Sequence, residues 1–194
     1  MRSLIWKMLW GLAFHIWVPR FTVEGRIPQG PVVFAANHCS HADTAALQLA
    51  LARLGHTRVL AAGAEDYFFR TKTTGSLSRL IGVFPFPRKG SVGLKRAIRI
   101  LGSGTSVILY PAGSRDGGAF KPGVSYLAAA GFTVVPVTID GTNRLLPKGR
   151  SWPMRSDVHL RFGTPVGVRT SETPREFASR LERAVRSTTR RSAA

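Results

Sequence analysis

Apolar residues gather along the chain in four short runs that end abruptly at polar residues. The runs occupy residues 31–36, 57–62, 105–110 and 133–139. Each is nearly continuous rather than alternating, which is the pattern of a strand that is covered on both faces. A fifth run, 157–162, alternates Val158, Leu160 and Phe162 with polar residues. That alternation predicts an edge strand.

Between these runs, apolar residues recur at helical spacing. The spacing predicts helices over 42–54, 90–101 and 124–130. A last helix is expected to begin at Thr173-Pro174-Arg175-Glu176, a capping box with proline at the first helical position. Strands that alternate with helices predict an α/β fold with a mostly parallel central sheet flanked by helices. In such sheets, functional sites gather at the carboxyl ends of the strands.

The first 19 residues are apolar apart from one narrow polar stripe. Trp6, Trp10 and Trp17 lie away from the stripe at helical spacing, and Arg2 and Arg20 flank the segment. A tryptophan-rich helix flanked by cations is typical of the membrane interface, so we predict an amphipathic membrane-interface helix over 1–19. The segment is short for a bilayer span of ~20 apolar residues. A helix packed against the rest of the domain is the alternative.

The remaining chain is expected to form one folded domain over 20–187, followed by a disordered basic tail over 188–194. The 194 residues include 28 Lys and Arg against 10 Asp and Glu, a formal charge of +18. This excess predicts an anionic partner: nucleic acid, an anionic membrane surface or a phosphate-bearing substrate. No nucleic-acid-binding module is recognisable, so we expect no nucleic-acid partner. The single cysteine, Cys39, excludes an internal disulfide and suits a reducing compartment.

Residues 36–44, ANHCSHADT, follow the first predicted strand and combine two histidines, a cysteine and an aspartate. One interpretation is structural: Ser40 caps the next helix and Asp43 reaches back to it, which leaves His38 and Asn37 unexplained. Another is a metal site on His38, His41 and Asp43. The other histidines have no Cys or Asp at ligand spacing, so we expect no metal.

The third interpretation is a general base with a partner that orients it. His38 would lie in the loop that leads into the helix, and Asp43 in the first helical turn. The carboxylate can then fold back onto one imidazole nitrogen and leave the other nitrogen to take a proton. This geometry is compatible with the capping box, so the two interpretations do not compete.

The same stretch resembles the N-H-x-S-x-x-D block of the glycerolipid acyltransferase family, the enzymes similar to 1-acylglycerol-3-phosphate acyltransferase. Three further blocks follow in the order that the family has. They are GVFPFPR at 82–88, YPAGSR at 110–115 and the proline-containing apolar strand VVPV at 134–137. The resemblance covers roughly residues 20–165. One such block occurs often by chance, whereas four in order identify the family.

The resemblance implies roles for particular residues. His38 and Asp43 would be the catalytic pair. Arg88 and Arg115 offer planar charged forks for an acceptor phosphate, and Lys121 a third cation. The supporting residues would be Asn37, Ser40, Gly82, Gly113 and Ser114.

The implied reaction moves a fatty acyl group from an acyl thioester to a hydroxyl of a lysophospholipid or glycerophosphate, with 1-acyl-sn-glycerol-3-phosphate as the leading acceptor. Acyl-CoA or an acylated acyl carrier protein (acyl-ACP) would be the co-substrate, and we expect no cofactor. The expected partners are this donor, the lysophospholipid acceptor and an anionic membrane surface. The expected location is the cytoplasmic face of the cell membrane, as a peripheral or monotopic protein.

One residue departs from the family pattern. Ala112 stands where the third block usually has glutamate, and a methyl group cannot accept a hydrogen bond or hold a neighbouring arginine. This leaves two alternatives to the leading interpretation: a catalytically weak or inactive lipid-binding relative, or an acyltransferase for a different acceptor.

Overall fold

The structure, a computed structural model, describes residues 15–150 and 152–190. Its centre is a seven-stranded sheet with the order β1-β7-β6-β2-β5-β3-β4. The strands are β1 (Phe21–Glu24), β2 (Val32–Ala36), β3 (Val59–Ala64), β4 (Val83–Phe86), β5 (Ser106–Leu109), β6 (Thr133–Asp140) and β7 (Val158–Phe162).

Helices connect most of the strands. They are α1 (Ala42–Arg53), α2 (Glu65–Phe68), α3 (Lys72–Leu80), α4 (Val92–Gly102), α5 (Gly123–Ala129), α6 (Thr142–Leu145) and α7 (Pro174–Arg190). The α/β fold with a mostly parallel central sheet flanked by helices, predicted from the sequence, is therefore confirmed.

Five neighbouring strands, from β6 to β4 in the sheet order, run parallel, and β7 pairs with β6 in the antiparallel direction. The carboxyl ends of these five strands meet at one edge of the sheet. Strand β2 is buried over its whole length, because it lies between β5 and β6 with apolar layers on both faces. One layer includes Leu47 and Leu51 of α1, and the other includes Leu101 of α4 and Leu181 of α7.

The prediction that the alternating run forms an edge strand is wrong. Strand β7 lies between β6 and β1, and β1 occupies that edge of the sheet. The alternation of β7 has another cause. Its polar residues His159 and Arg161 face polar partners on β1: Thr22 hydrogen-bonds His159 at 2.5 Å, and Arg161 pairs with Glu24 at 2.8 Å. Alternation of polar and apolar residues indicates only that one face of a strand is polar, and an inner strand can also have a polar face.

The predicted helices over 42–54, 90–101 and 124–130 match α1, α4 and α5 within two residues at each end. The capping box at Thr173 is present: the Thr173 backbone N–H donates to Glu176 at 2.8 Å, and the Glu176 N–H donates to the Thr173 hydroxyl at 3.3 Å. Helix α7 continues to Arg190, so residues 188–190 of the predicted disordered tail are helical.

The predicted membrane-interface helix over 1–19 lies mostly outside the described residues. Residues 15–17 are helical, and the chain then turns into β1. Among the described residues, no helix has both the length and the apolar character to cross a bilayer.

Candidate active site

A cavity of about 530 Å³ opens at the carboxyl edge of the parallel strands. The residues that follow each of these strands form a different part of the cavity lining. His38 follows β2, Tyr110 follows β5 and Arg88 follows β4, while Tyr67 and Phe68 come from α2 after β3. The apolar part of the lining also includes Ala61, Val83, Leu94, Leu109 and Val124. The parallel topology thus brings residues that are distant in sequence into one pocket.

The hydrogen bond expected between His38 and Asp43 is present. The Nδ1 atom of His38 lies 2.7 Å from Oδ2 of Asp43. The same oxygen accepts from the backbone N–H groups of Cys39, at 2.7 Å, and Ser40, at 2.9 Å. Because Oδ2 already accepts from two groups that can only donate, Nδ1 carries the hydrogen of the third bond. In the neutral form of His38, the lone pair therefore lies on Nε2, on a ring that lines the cavity.

Asp43 is completely buried, and its second oxygen, Oδ1, is also bonded. The Thr142 hydroxyl, from the first residue of α6, donates to Oδ1 at 2.5 Å, and Sγ of Cys39 approaches the same oxygen at 3.7 Å. Thr142 is itself fully buried. The sequence interpretation missed this residue, since it lies 99 positions after Asp43 and carries no local signal.

The predicted cap at Ser40 forms differently. The N-cap of α1 is His41, and its side chain makes no capping bond. The Ser40 hydroxyl instead accepts from the Ala42 N–H at 3.1 Å and donates to the Leu146 carbonyl at 2.8 Å. Only the return half of the expected box, from the Ser40 N–H to the Asp43 carboxylate, is present. Ser40 therefore fixes the loop before α1 to the residue that follows α6.

Two aromatic contacts surround the imidazole groups. The rings of His38 and Tyr110 stack with centroids 4.1 Å apart, and the Tyr110 hydroxyl bonds Thr44 at 2.9 Å. Burial raises the pKa of Tyr110 well above its usual value, so its hydroxyl stays protonated. His41 lies over Tyr67, and partial burial, followed by the charge of Arg115, lowers the pKa of His41.

Asn37 connects two strands and does not line the cavity. Its amide nitrogen donates to the Ile139 carbonyl at 2.8 Å, and its amide oxygen accepts from the Ile139 N–H at 2.7 Å. This pair of bonds joins the end of β2 to the end of β6. It fixes the backbone immediately before His38.

Arg88 lies at the cavity mouth and is held by two groups. Its Nε bonds both carboxylate oxygens of Asp66, at 2.9 and 3.1 Å, and its Nη1 donates to the Gly113 carbonyl at 3.0 Å. Both members of the ion pair are about half exposed or more, at 49% for Arg88 and 63% for Asp66. Asp66 is a second residue that the sequence interpretation missed.

The predicted residues Arg115, Lys121, Gly113 and Ser114 also line the cavity. Gly113 has a φ of +71°, and a Cβ there would lie 2.8 Å from the Lys121 ammonium nitrogen. Because glycine has no side chain, the Lys121 ammonium group can lie close to the backbone at Gly113. Gly82 has a different place: it ends the turn before β4 with a φ of +78°, and a Cβ there would lie 2.9 Å from the Gln48 amide nitrogen.

Ala112 is buried with 9% exposure and is not among the residues that line the cavity. Arg88, which does line the cavity, is paired with Asp66 on α2. Across residues 15–150 and 152–190, no three His, Cys, Asp or Glu side chains are grouped closely enough to hold a metal ion.

Comparisons with known proteins identify the family of the chain. The family model described as Acyltransferase matches residues 20–140. A chloroplastic 1-acyl-sn-glycerol-3-phosphate acyltransferase of Brassica napus is 33% identical over 153 residues, which are 70% of this chain and 41% of that relative. A chloroplastic enzyme of the same name from Arabidopsis thaliana is 34% identical over 128 residues, 61% of this chain and 34% of that relative.

The chain therefore spans well under half the length of these two relatives. The crystal structure of the 1-acyl-sn-glycerophosphate acyltransferase PlsC from Thermotoga maritima matches with a TM-score of 0.78 at 23% identity, over 97% of this chain and 78% of that one. At this identity the likeness concerns the fold. The family match, which covers more than half of the chain, assigns the protein: it belongs to the Acyltransferase family.

Proposed function

We propose that the protein is an O-acyltransferase that transfers a fatty acyl group from an acyl thioester to a hydroxyl of a lysophospholipid or glycerophosphate, with 1-acyl-sn-glycerol-3-phosphate as the leading acceptor. One observation carries the proposal: a buried aspartate orients a histidine into a cavity whose mouth is cationic. The names of the curated relatives support the choice of acceptor.

In this mechanism, His38 acts as the general base. Its Nε2 takes the proton of the acceptor hydroxyl while the oxygen attacks the thioester carbonyl carbon. The carbon–sulfur bond then breaks, the thiolate of coenzyme A or acyl carrier protein leaves, and the imidazolium returns the proton to it. Asp43 holds the ring and stabilises the imidazolium through the bond to Nδ1. No covalent enzyme intermediate and no cofactor are needed.

The cations at the mouth would bind the acceptor phosphate. Asp66 and the Gly113 carbonyl direct the guanidinium of Arg88 by occupying its Nε and Nη1 atoms. Arg115 and Lys121 line the same cavity, so three permanent or near-permanent positive charges are available to one dianionic group. The apolar lining suits the acyl chain.

We further propose that the protein works at the cytoplasmic face of a membrane, as a peripheral or monotopic protein. The formal charge of +18 supports attraction to anionic lipid, at ~1 kcal/mol per cation near the surface. The tryptophan-rich residues 1–19 would lie at the membrane interface. The acyl donor is acyl-CoA or an acylated acyl carrier protein.

A second candidate, a lipid-binding relative with little catalysis, is favoured by Ala112. Against it stands the ion pair between Arg88 and Asp66, because Asp66 supplies a carboxylate partner that Ala112 cannot. The contact between His38 and Asp43 that the mechanism needs is also present. The catalytic function is therefore the better supported.

The test is acceptor-dependent thiol release from acyl-CoA by the purified protein in vesicles. The acceptors are glycerol-3-phosphate, lysophosphatidic acid and neutral lysolipids, and the variant His38→Ala is run beside the wild type. We expect release that requires an acceptor, is fastest with lysophosphatidic acid and is lost in His38→Ala. A wild-type protein that binds vesicles but releases no thiol with any acceptor would support the lipid-binding candidate instead.

Ala112→Glu adds a second arm to this experiment. If Asp66 already supplies the carboxylate that Arg88 needs, an added glutamate at a buried position brings no gain and lowers the rate. A large gain in rate would mean that the natural site is impaired by Ala112.

A further inference from the structure

We infer that Arg150, Trp152, Met154 and Arg155 form a surface that docks the protein on a bilayer containing anionic lipid. We call these four residues the docking surface. The inference rests on the proposed function, since it names where the protein meets the membrane that holds its acceptor. The four residues of the docking surface lie outside the N-terminal segment 1–19.

The docking surface displays large apolar side chains to solvent. Trp152 is 80% exposed and Met154 is 46% exposed. An exposed tryptophan is unusual in water, whereas the headgroup region of a bilayer suits its apolar ring and its polar N–H. The Arg150 guanidinium lies 3.2 Å from Sδ of Met154, so cationic and apolar groups are interleaved.

The backbone under these side chains is held in place. The Met154 N–H donates to the Leu145 carbonyl at 2.7 Å, and the Ser156 N–H donates to the Trp17 carbonyl at 3.0 Å. The Arg150 N–H closes a turn onto Pro147 at 3.1 Å. The segment that displays Trp152 is thus anchored through its backbone on both sides of this residue.

The charge of this region has one sign. Between Asp140 and Asp157 the chain has no acidic residue and four cations, Arg144, Lys148, Arg150 and Arg155. Anionic lipid attracts each such cation by an amount that corresponds to roughly a fivefold gain in binding. Arg144 and Lys148 pair with Asp140 and Asp116. Arg150 and Arg155, which flank the exposed Trp152 in the sequence, are therefore the cations that complement a bilayer with anionic headgroups, which offers both an apolar layer and negative charge.

The docking surface lies beside the cavity mouth. Strand β7 starts opposite the end of β6, with His159 next to Asp140, so the segment before β7 lies at the edge of the sheet that carries the site. Two residues before Arg150, Lys148 lines the cavity and pairs with Asp116 at 2.6 Å. The segment also runs past Trp17, next to Ile16, which is 65% exposed. Docking here would turn the cavity mouth toward the bilayer.

The test measures partition of the full chain onto vesicles of phosphatidylcholine with phosphatidylglycerol, and onto phosphatidylcholine alone. Trp152→Ser and Met154→Ser are compared with Leu54→Ser, a matched control that is 47% exposed at the end of α1, away from the cavity. We expect Trp152→Ser to lower the partition coefficient several-fold on both vesicles. Arg150→Ser with Arg155→Ser should lower it roughly 25-fold on the anionic vesicles only, an effect that salt removes.

A second readout separates docking from catalysis. Trp152→Ser should release thiol at the wild-type rate with a short-chain lysolipid dissolved as monomers, and more slowly with a long-chain acceptor in vesicles. Failure of the proposed function would appear as no release by the wild type with either acceptor, whatever the vesicle binding.

Two results would overturn the docking inference. In one, Trp152→Ser and the arginine double variant bind anionic vesicles as well as wild type and Leu54→Ser. In the other, sedimentation without vesicles shows wild-type dimers that Trp152→Ser dissociates, so that a second copy of the chain covers this surface.

Discussion

At the scale of single residues, the hydroxyl of Thr142 is one of the groups that hold Asp43, the proposed partner of the general base. It donates to a carboxylate oxygen that is wholly buried, at 2.5 Å. Thr142→Val keeps the side-chain shape and removes the donor. Losing a hydrogen bond to a buried charged group costs about 1.5–3 kcal/mol, so we expect kcat/KM to fall roughly 10- to 100-fold. Acceptor-dependent thiol release measures it.

Thr142→Ser is the control for this prediction. It keeps the hydroxyl and loses one methyl group, so it should retain most of the wild-type kcat/KM while its melting temperature falls slightly. If Thr142→Val keeps the wild-type kcat/KM, the hydrogen bond to Asp43 does not contribute, and a loss confined to Thr142→Ser would assign the effect to methyl packing.

Cys39, next to the proposed general base His38, should be an unreactive thiol. Burial, and after it the charge of Asp43, raises its pKa to about 11. Only the thiolate is alkylated, so at pH 8 iodoacetamide should modify the folded protein about 100-fold more slowly than the unfolded chain. The rate should rise with pH up to about 11. Intact mass measures it cleanly because the chain has a single cysteine; equal rates in folded and unfolded protein would contradict the prediction.

The residues of the site differ in how visible they are in the sequence. His38 and Asp43 lie five positions apart, so a local pattern was enough to predict their contact, which the structure has at 2.7 Å. Thr142 and Asp66 reach the site through the topology of the sheet. No local sequence pattern marks them as site residues. Their role becomes visible only when β2, β3 and β6 are known to end at the same edge of the sheet.

At the scale of elements, the start of α7 is stabilised by a pair that titrates in acid. Both carboxylate oxygens of Glu172 bond Arg180, at 2.6 and 2.7 Å, and Arg180 also donates to the Gly167 carbonyl at 2.7 Å. The hydrogen bond from Arg180 lowers the pKa of Glu172 from 4.5 to about 2. A carboxyl whose pKa is lowered on folding stabilises the fold above its unfolded pKa, and this contribution is lost as pH falls through the folded pKa.

Glu172→Gln should therefore lower the melting temperature by a few degrees at pH 7, with the difference shrinking between pH 4.5 and about 2. Thermal unfolding followed by circular dichroism measures it. Glu182→Gln is the matched variant, since Glu182 pairs with Arg186 one turn further along α7. A difference between wild type and Glu172→Gln that persists unchanged below pH 2 would contradict the ionic origin.

Elements were predicted well where their pattern is long and poorly where it is short. The 12 residues of α1 and the 11 of α4 carry enough turns to show a helical period. Strands β1 and β4 have four residues each, and β4 contains Pro85, which weakens any strand signal. Pro85 is tolerated because β4 lies at the edge of the sheet, where half of the backbone groups need no partner strand.

At the scale of the whole molecule, a long stretch of the chain that contributes to the cavity carries cations and no acidic residue. No acidic residue occurs between Asp66 and Asp116, a stretch that includes α3, β4, α4 and β5 and begins and ends at the cavity mouth. Converging charge of one sign attracts an anionic substrate over about a Debye length, ~10 Å at 0.1 M salt. We therefore expect KM for lysophosphatidic acid to rise with salt, while KM for a neutral monoacylglycerol stays constant.

Substitution of Arg88 distinguishes the long-range electrostatic effect of the cations from direct contact with the acceptor phosphate. Arg88→Gln and Arg99→Gln remove the same charge, but Arg88 lines the cavity whereas Arg99 is exposed on α4 outside the lining. Losing a charge-assisted hydrogen bond to the phosphate costs about 1.5–3 kcal/mol, so Arg88→Gln should raise KM for lysophosphatidic acid roughly 10- to 100-fold. Arg99→Gln should raise KM less than about threefold, and that effect should vanish in high salt because only the screened field has changed. Equal effects of the two variants at every salt concentration would mean that Arg88 contributes only through net charge and does not touch the phosphate.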